Sequence, residues 1–112
     1  MRGLIVKEPY ASMIVRGEKI WEIRKRSTNI RGKILIISGG YVVGEVEIAD
    51  VLGPFSPEEL AKFEKFHRVS EEELKRYSQG KRLYAWVLKN PREFEEKKKV
   101  EIPRGAQVWV KL

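Results

Sequence analysis

The stretch Pro9 to Lys33, PYASMIVRGEKIWEIRKRSTNIRGK, decides how the chain is read, because three local patterns follow one another in it without a linker. Pro9 opens it, and proline suits the first position of a helix, where its missing N–H costs no hydrogen bond. Tyr10, Met13 and Ile14 then recur at helical spacing and give a short helix an apolar face, with Ser12 and Arg16 on the other side. Gly17 suits the left-handed residue that ends such a helix. From Lys19 to Arg26 the period changes to two, so that Trp21 and Ile23 take one face of a strand and Ile20, Glu22, Arg24 and Arg26 the other. Between Arg16 and Lys33 stand seven basic and two acidic residues, which gives this window +5 of the chain's formal +7. Positive charge is therefore concentrated around the helix-to-strand junction.

The rest of the composition narrows the classes. A chain of 112 residues supports one domain with one core. No stretch approaches the roughly 18 apolar residues of a membrane span, and the N-terminus lacks the basic-then-apolar order of a signal peptide, so a cytoplasmic protein is expected. The absence of cysteine excludes disulfides and thiolate metal sites, and a single histidine leaves no imidazole cluster, so neither a metal nor a cofactor is expected. A charged fraction of 35% also fits the composition of thermophilic proteins. Excess positive charge favours a polyanionic partner or serves solubility alone.

Working outward, Gly3 to Lys7 reads as a first strand. Ile34 to Ile37 is apolar on both faces and so predicts a central strand, closed by a hairpin turn at Ser38-Gly39-Gly40. The next strand, Tyr41 to Leu52, is expected to stop at Gly53-Pro54. Ser56-Pro57-Glu58-Glu59 is a capping box that starts a helix burying Leu60 and Phe63, and Ser70-Glu71-Glu72-Glu73 repeats the device with Leu74 and Tyr77 inward. Leu83 to Leu88 predicts a second two-sided strand halted by Asn90-Pro91, followed by a charged, solvent-facing stretch from Phe94 to Ile102. Val108, Val110 and Leu112 point inward from a closing strand. Several strands with a few short helices and no βαβ rhythm predict an α+β fold built on a small mixed barrel, most simply a monomer.

Gly17-x-Lys19-x-x-Glu22-x-Arg24 resembles the G-x-K-x-x-E-x-R signature of the ASCH (ASC-1 homology) family. Pro9-Tyr10-Ala11, Arg31-Gly32 and Tyr84-Ala85-Trp86-Val87-Leu88 extend the likeness to the small single-domain prokaryotic members. The resemblance implies a PUA-like β-barrel over residues 1–112 and a ligand that is RNA or a nucleotide. It also implies a possible enzyme class. Some ASCH-type proteins are amidohydrolases that deacetylate N4-acetylcytidine with a Lys, a Thr three residues later and a Glu downstream, and others are described as ribonucleases. Lys19 matches that Lys, but the Thr position is Glu22, and a carboxylate cannot replace a hydroxyl nucleophile without changing the chemistry. Glu71 is the candidate for the downstream acid.

The candidate residues follow from both lines of reasoning. Lys19, expected at the barrel rim beside Glu22 and Arg24 but paired with neither, offers an ammonium to a phosphate or oxyanion, and Lys19 with Glu22 is a conceivable acid and base. Glu22 and Arg24 either pair with each other or each bind ligand, the carboxylate accepting from a base amino group and the guanidinium gripping phosphate. Arg16, Arg26, Arg31 and Lys33 widen the basic surface. Trp86, which resembles an aromatic of the family's penultimate strand, and Tyr10 are the candidates for stacking on a base. Trp21 reads as core. Ser12 and Ser38 are candidate hydroxyl contacts, although serine in a turn usually bonds its own backbone. His67 reads as a packed or capping histidine.

Overall fold

In the computed structural model, which describes residues 1–112, the apolar run Ile34 to Ile37 does lie at the middle of the architecture. The elements in order are β1 (Arg2–Ile5), α1 (Tyr10–Val15), β2 (Trp21–Arg24), β3 (Gly32–Ser38), β4 (Tyr41–Phe55), α2 (Pro57–Ala61), α3 (Glu64–His67), α4 (Glu71–Ser78), β5 (Leu83–Lys99) and β6 (Trp109–Lys111). They build one mixed sheet in the order β2-β5-β4-β3-β1-β6, antiparallel except for the β1–β3 pair. Ile34 and Ile36 join the main core with Leu4, Val46, Ile48 and Leu88, while Leu35 and Ile37 pack on the other face against Val42 and Val110. Both faces of β3 are thus covered, as a continuous apolar run requires. No helix is long and apolar enough to cross a membrane.

Helix α1 closes one end of the barrel by burying Ala11, Ile14 and Val15 against the main core. Its buried face is rotated from the one predicted, since Met13 is only half-buried. Pro9 is the N-cap rather than the first helical residue, and the Glu8 carboxylate caps the helix by accepting from the Ser12 N–H at 2.9 Å. Gly44 lets α1 approach β4, because a Cβ there would collide with the Arg92 carbonyl and the Val15 side chain. Gly17, at φ +81°, ends the helix as expected.

The two long strands correct the predicted boundaries. β4 runs through Gly53-Pro54 to Phe55, and β5 runs through Asn90-Pro91 to Lys99. The pairing between them shifts register four times, and Asn90 adopts φ +52°. Bulges of this kind absorb turn-forming residues without ending the ladder, and they bend the pair so that the sheet can coil. The hairpin at Gly39-Gly40 and the capping box at Ser56 form as predicted. At the last strand only Val110 is buried, whereas Val108 and Leu112 are exposed. The insert between β4 and β5 contains a third short helix, α3, that the sequence reading did not separate.

His67 ends α3 with its ring fully buried. Its Nδ1 accepts from the Val69 N–H at 3.0 Å, which places the ring proton on Nε2, where it donates to the Leu60 carbonyl at 2.7 Å. Burial holds its pKa below the usual imidazole value, so the ring is neutral and structural. Trp21 packs with Phe55, Phe63 and Phe66, its ring centroid 5.2 Å from that of Phe66 and 5.3 Å from that of Phe63, and joins the insert to β2.

Candidate functional site

The sheet order leaves β2 at one edge and β1 next to the other, and coiling brings the two together without a backbone ladder between them. A side chain spans the seam instead. The Arg24 Nη2 donates to the Ile5 carbonyl at 2.9 Å. Around this bridge, roofed by α4, lies a cleft of about 620 Å3 whose lining includes Lys7, Tyr10, Lys19, Glu22, Arg24, Glu73 and Tyr77. Its size falls within the range of about 300–1,000 Å3 typical of small-molecule sites.

The strand alternation read from the sequence puts Glu22 and Arg24 on the cleft side, and the structure pairs them. Glu22 Oε2 accepts from Arg24 Nε at 2.8 Å and lies 2.7 Å from Nη2, while Arg24 Nη1 has no protein partner. Lys19 corrects the expectation of a rim position. Its side chain is 1% exposed, its Nζ donates to the His67 carbonyl at 2.5 Å, lies 3.6 Å from Glu22 Oε1, and sits 4.8 Å from the Tyr10 ring centroid. The reason is the insert. The α3–α4 segment folds over the start of β2, as the hydrogen bond from the Ile20 N–H to the Phe66 carbonyl also shows, and encloses what would otherwise be a rim residue. Burial pushes the Lys19 ammonium down to about 8, against the opposing pull of Glu22.

Glu22 therefore sits between two cations, and a second carboxylate faces it across the cleft. Tyr10 donates to Glu73 Oε2 at 2.6 Å, and Lys7 Nζ lies 3.8 Å from the same oxygen. Burial, then the hydrogen bond to Glu73, raises the Tyr10 pKa and keeps the phenol protonated. The acid of α4 that reaches the cleft is Glu73. Glu71, the candidate from sequence, pairs with Lys75 at 3.1 Å and does not line the cleft. Helical spacing carries the signal that finds Glu73, since Glu73 and Tyr77 are four apart and so share the face that Tyr77 turns to the cleft.

The remaining candidates are dispersed. Ser12 donates its hydroxyl to Glu8 at 2.8 Å, Arg16 pairs with Glu93 at 3.2 Å, Arg31 is bound to the carbonyls of Thr28 and Ile30 at 2.9 Å, and Lys33 pairs with Glu45 at 3.2 Å. Ser38 is buried at the β3–β4 hairpin. None of the five lines the cleft. The basic surface read from charge counting is thus partly neutralised by acids that lie far away in sequence. Trp86, expected to stack on a base, is only 2% exposed: its Nε1 donates to the Arg26 carbonyl at 2.9 Å, and its ring stacks on Trp109 at 5.9 Å. Arg26 is exposed, without an acidic partner, and borders a second concavity of about 480 Å3 that shares Arg24, Tyr77 and Gln107 with the first.

Comparison with known proteins agrees with this architecture. The crystal structure of a serine-to-alanine mutant of the ASCH protein from Zymomonas mobilis superposes with a TM-score of 0.85 at 16% identity, covering 99% of this chain and 87% of that one. The same protein without that substitution gives 0.73 at 18% identity, over 82% of this chain and 68% of that one. A tyrosine-to-phenylalanine mutant gives 0.72 at 20%, over 82% and 70%. At these identities the likeness carries the fold alone, and the coiled six-stranded sheet with short helices fits a PUA-like pseudo-barrel. No protein of curated function matches the chain. The family model for the ASCH domain matches residues 4–98, which takes in α1, β2, α4 and every residue that lines the cleft except Gln107, and the chain belongs to the ASCH domain family.

Proposed function

We propose that the cleft binds a nucleotide unit of RNA, with the Lys19–Glu22–Arg24 triplet as its recognising element. The observation that carries this reading is the triplet's position. Two cations and a carboxylate are held in the wall of a ligand-sized cleft, where taking charges out of water is costly and adds little to stability. Such a set suits a ligand that presents both donors and acceptors. A base amino group can donate to Glu22 or Glu73, and its carbonyl or ring nitrogen can accept from Arg24 Nη1. Tyr10 and Tyr77 supply ring surface. Titration of nucleosides and single-stranded RNA at low salt tests the reading. Binding that is lost in Arg24→Ala, in protein that still unfolds cooperatively, supports it, and absence of any binding refutes it.

One observation favours a second reading, a hydrolase acting on an acylated nucleoside. An ammonium with a pKa of about 8 lies close to neutrality, where a group exchanges protons readily, and two carboxylates stand around it. Glu22 occupies the position of the Thr nucleophile of the amidohydrolases, so the attacking group would be a water activated by a carboxylate rather than a side-chain hydroxyl. Mass spectrometry of N4-acetylcytidine incubated with the protein separates the readings, because a binding module leaves the acetyl group in place.

A further inference from the structure

Charge is distributed unequally between the two adjoining concavities. The first mixes the cations Lys7, Lys19, Arg24 and Arg76 with the carboxylates of Glu22 and Glu73. The second is bordered by Arg24, Lys25 and Arg26 and by no acidic residue, and it adds the Ser27 and Thr28 hydroxyls and the side of Trp109. The carboxylates let the first accept from a ligand's donor groups, whereas the second, with no acid in its lining, suits a group that carries negative charge and no donor. A nucleoside joined to a phosphodiester has this polarity.

We infer that the second concavity is a subsite for the phosphodiester and the next nucleotide of a single-stranded RNA, so that the ligand is an oligonucleotide rather than a free nucleoside. The inference rests on the nucleotide reading of the first cleft and extends it by naming the substrate class. Arg24 belongs to both concavities, and its Nη1 has no protein partner, so one guanidinium can touch the base on one side and the phosphate on the other. Arg26 is exposed with no ion pair, unlike Arg16, Arg31 and Lys33 of the same basic window. Its charge is therefore available to a phosphate. Trp109 is half-buried and its ring already serves as a stacking surface, for Trp86 at 5.9 Å and for the Arg2 guanidinium at 5.8 Å. Arg2 is exposed and also lacks an acidic partner, so a base arriving at Trp109 exchanges with this cation–π contact and breaks no ion pair. Stacking on an aromatic is tolerant of base identity, which fits a flanking position.

The test compares the four ribonucleosides with single-stranded RNA tetramers at low salt, using wild-type protein, Arg26→Glu, Trp109→Leu and Lys98→Glu. Lys98 lies on the distal part of β5, away from both concavities, and controls for general attraction to polyanions. The wild type is expected to bind a tetramer at least about tenfold more tightly than the corresponding nucleoside, the gain of one stacked base and one or two neutralised phosphates. Arg26→Glu should remove most of that gain and leave nucleoside affinity unchanged, and Trp109→Leu should reduce it in the same way. Nucleoside binding with no gain in the tetramer overturns the second subsite and leaves the nucleotide reading standing. A loss in Lys98→Glu as large as in Arg26→Glu also overturns it, and failure of both ligands to bind overturns both conclusions.

Discussion

Replacing Lys19 by methionine tests the buried triplet through stability rather than through ligand binding. Methionine fills a similar volume without charge. In the folded chain burial lowers the Lys19 pKa from 10.5 to about 8, while in the unfolded chain it keeps its ordinary value. At pH 7 both states carry the proton, and the fold bears the full cost of the buried charge, about 3 kcal/mol from the two pKa values. As the pH rises above about 8 the folded protein releases the proton first, so the unfolded state binds more protons and stability increases until about pH 10.5. Between pH 7 and about 9.5 this group alone should stabilise wild type by about 2 kcal/mol relative to Lys19→Met. Urea titrations of both proteins at the two pH values give the double difference, in which tyrosines and surface lysines common to both largely cancel. If the two proteins show parallel pH dependence, Lys19 is neither buried nor shifted as described, and the electrostatic account of the cleft fails.

Two further substitutions probe the same architecture. Glu22→Gln leaves Lys19 and Arg24 without their shared counter-charge, and a denaturant midpoint should report a loss of about 3 kcal/mol, the order found when one partner of a buried ion pair is removed. Unchanged stability would mean that the triplet is solvated. Gly44→Ala forces a Cβ against the Arg92 carbonyl and the Val15 side chain, and thermal unfolding should show a loss of about 2 kcal/mol from overpacking. A neutral result there would show that α1 does not press on β4 as described.

Local patterns made the helix, the Gly17 stop, the Glu22 and Arg24 face, the central β3 strand and the capping box legible, because each depends on residues within one turn or one hairpin. The features that sequence alone did not yield depend on distant chain. Gly53-Pro54 and Asn90-Pro91 carry strong turn chemistry, yet β4 and β5 pair along most of their length, and bulges absorb the misfit. Lys19 reads as a rim residue because nothing near it in sequence covers it; the His67 carbonyl that accepts its hydrogen bond is 48 residues away. Charge counting overstated the basic surface for the same reason, since Glu45, Asp50 and Glu93, which pair with Lys33, Arg31 and Arg16, come from other strands. The family resemblance gives Trp86 a ligand role, but its ring is buried against Trp109, and the partner ring is the more exposed of the two.

The central claim is that the seam between β1 and β2, rather than the charged outer surface, receives the ligand. Amide NMR spectra of the 15N-labelled protein titrated with single-stranded RNA test it most directly. The account predicts shifts concentrated at Ile5 to Lys7, Lys19 to Thr28, Val69 to Tyr77 and Gln107 to Trp109, where the two concavities are lined. Shifts confined to Lys97, Lys98 and Lys99 on the distal part of β5, or no shifts at all, would contradict it.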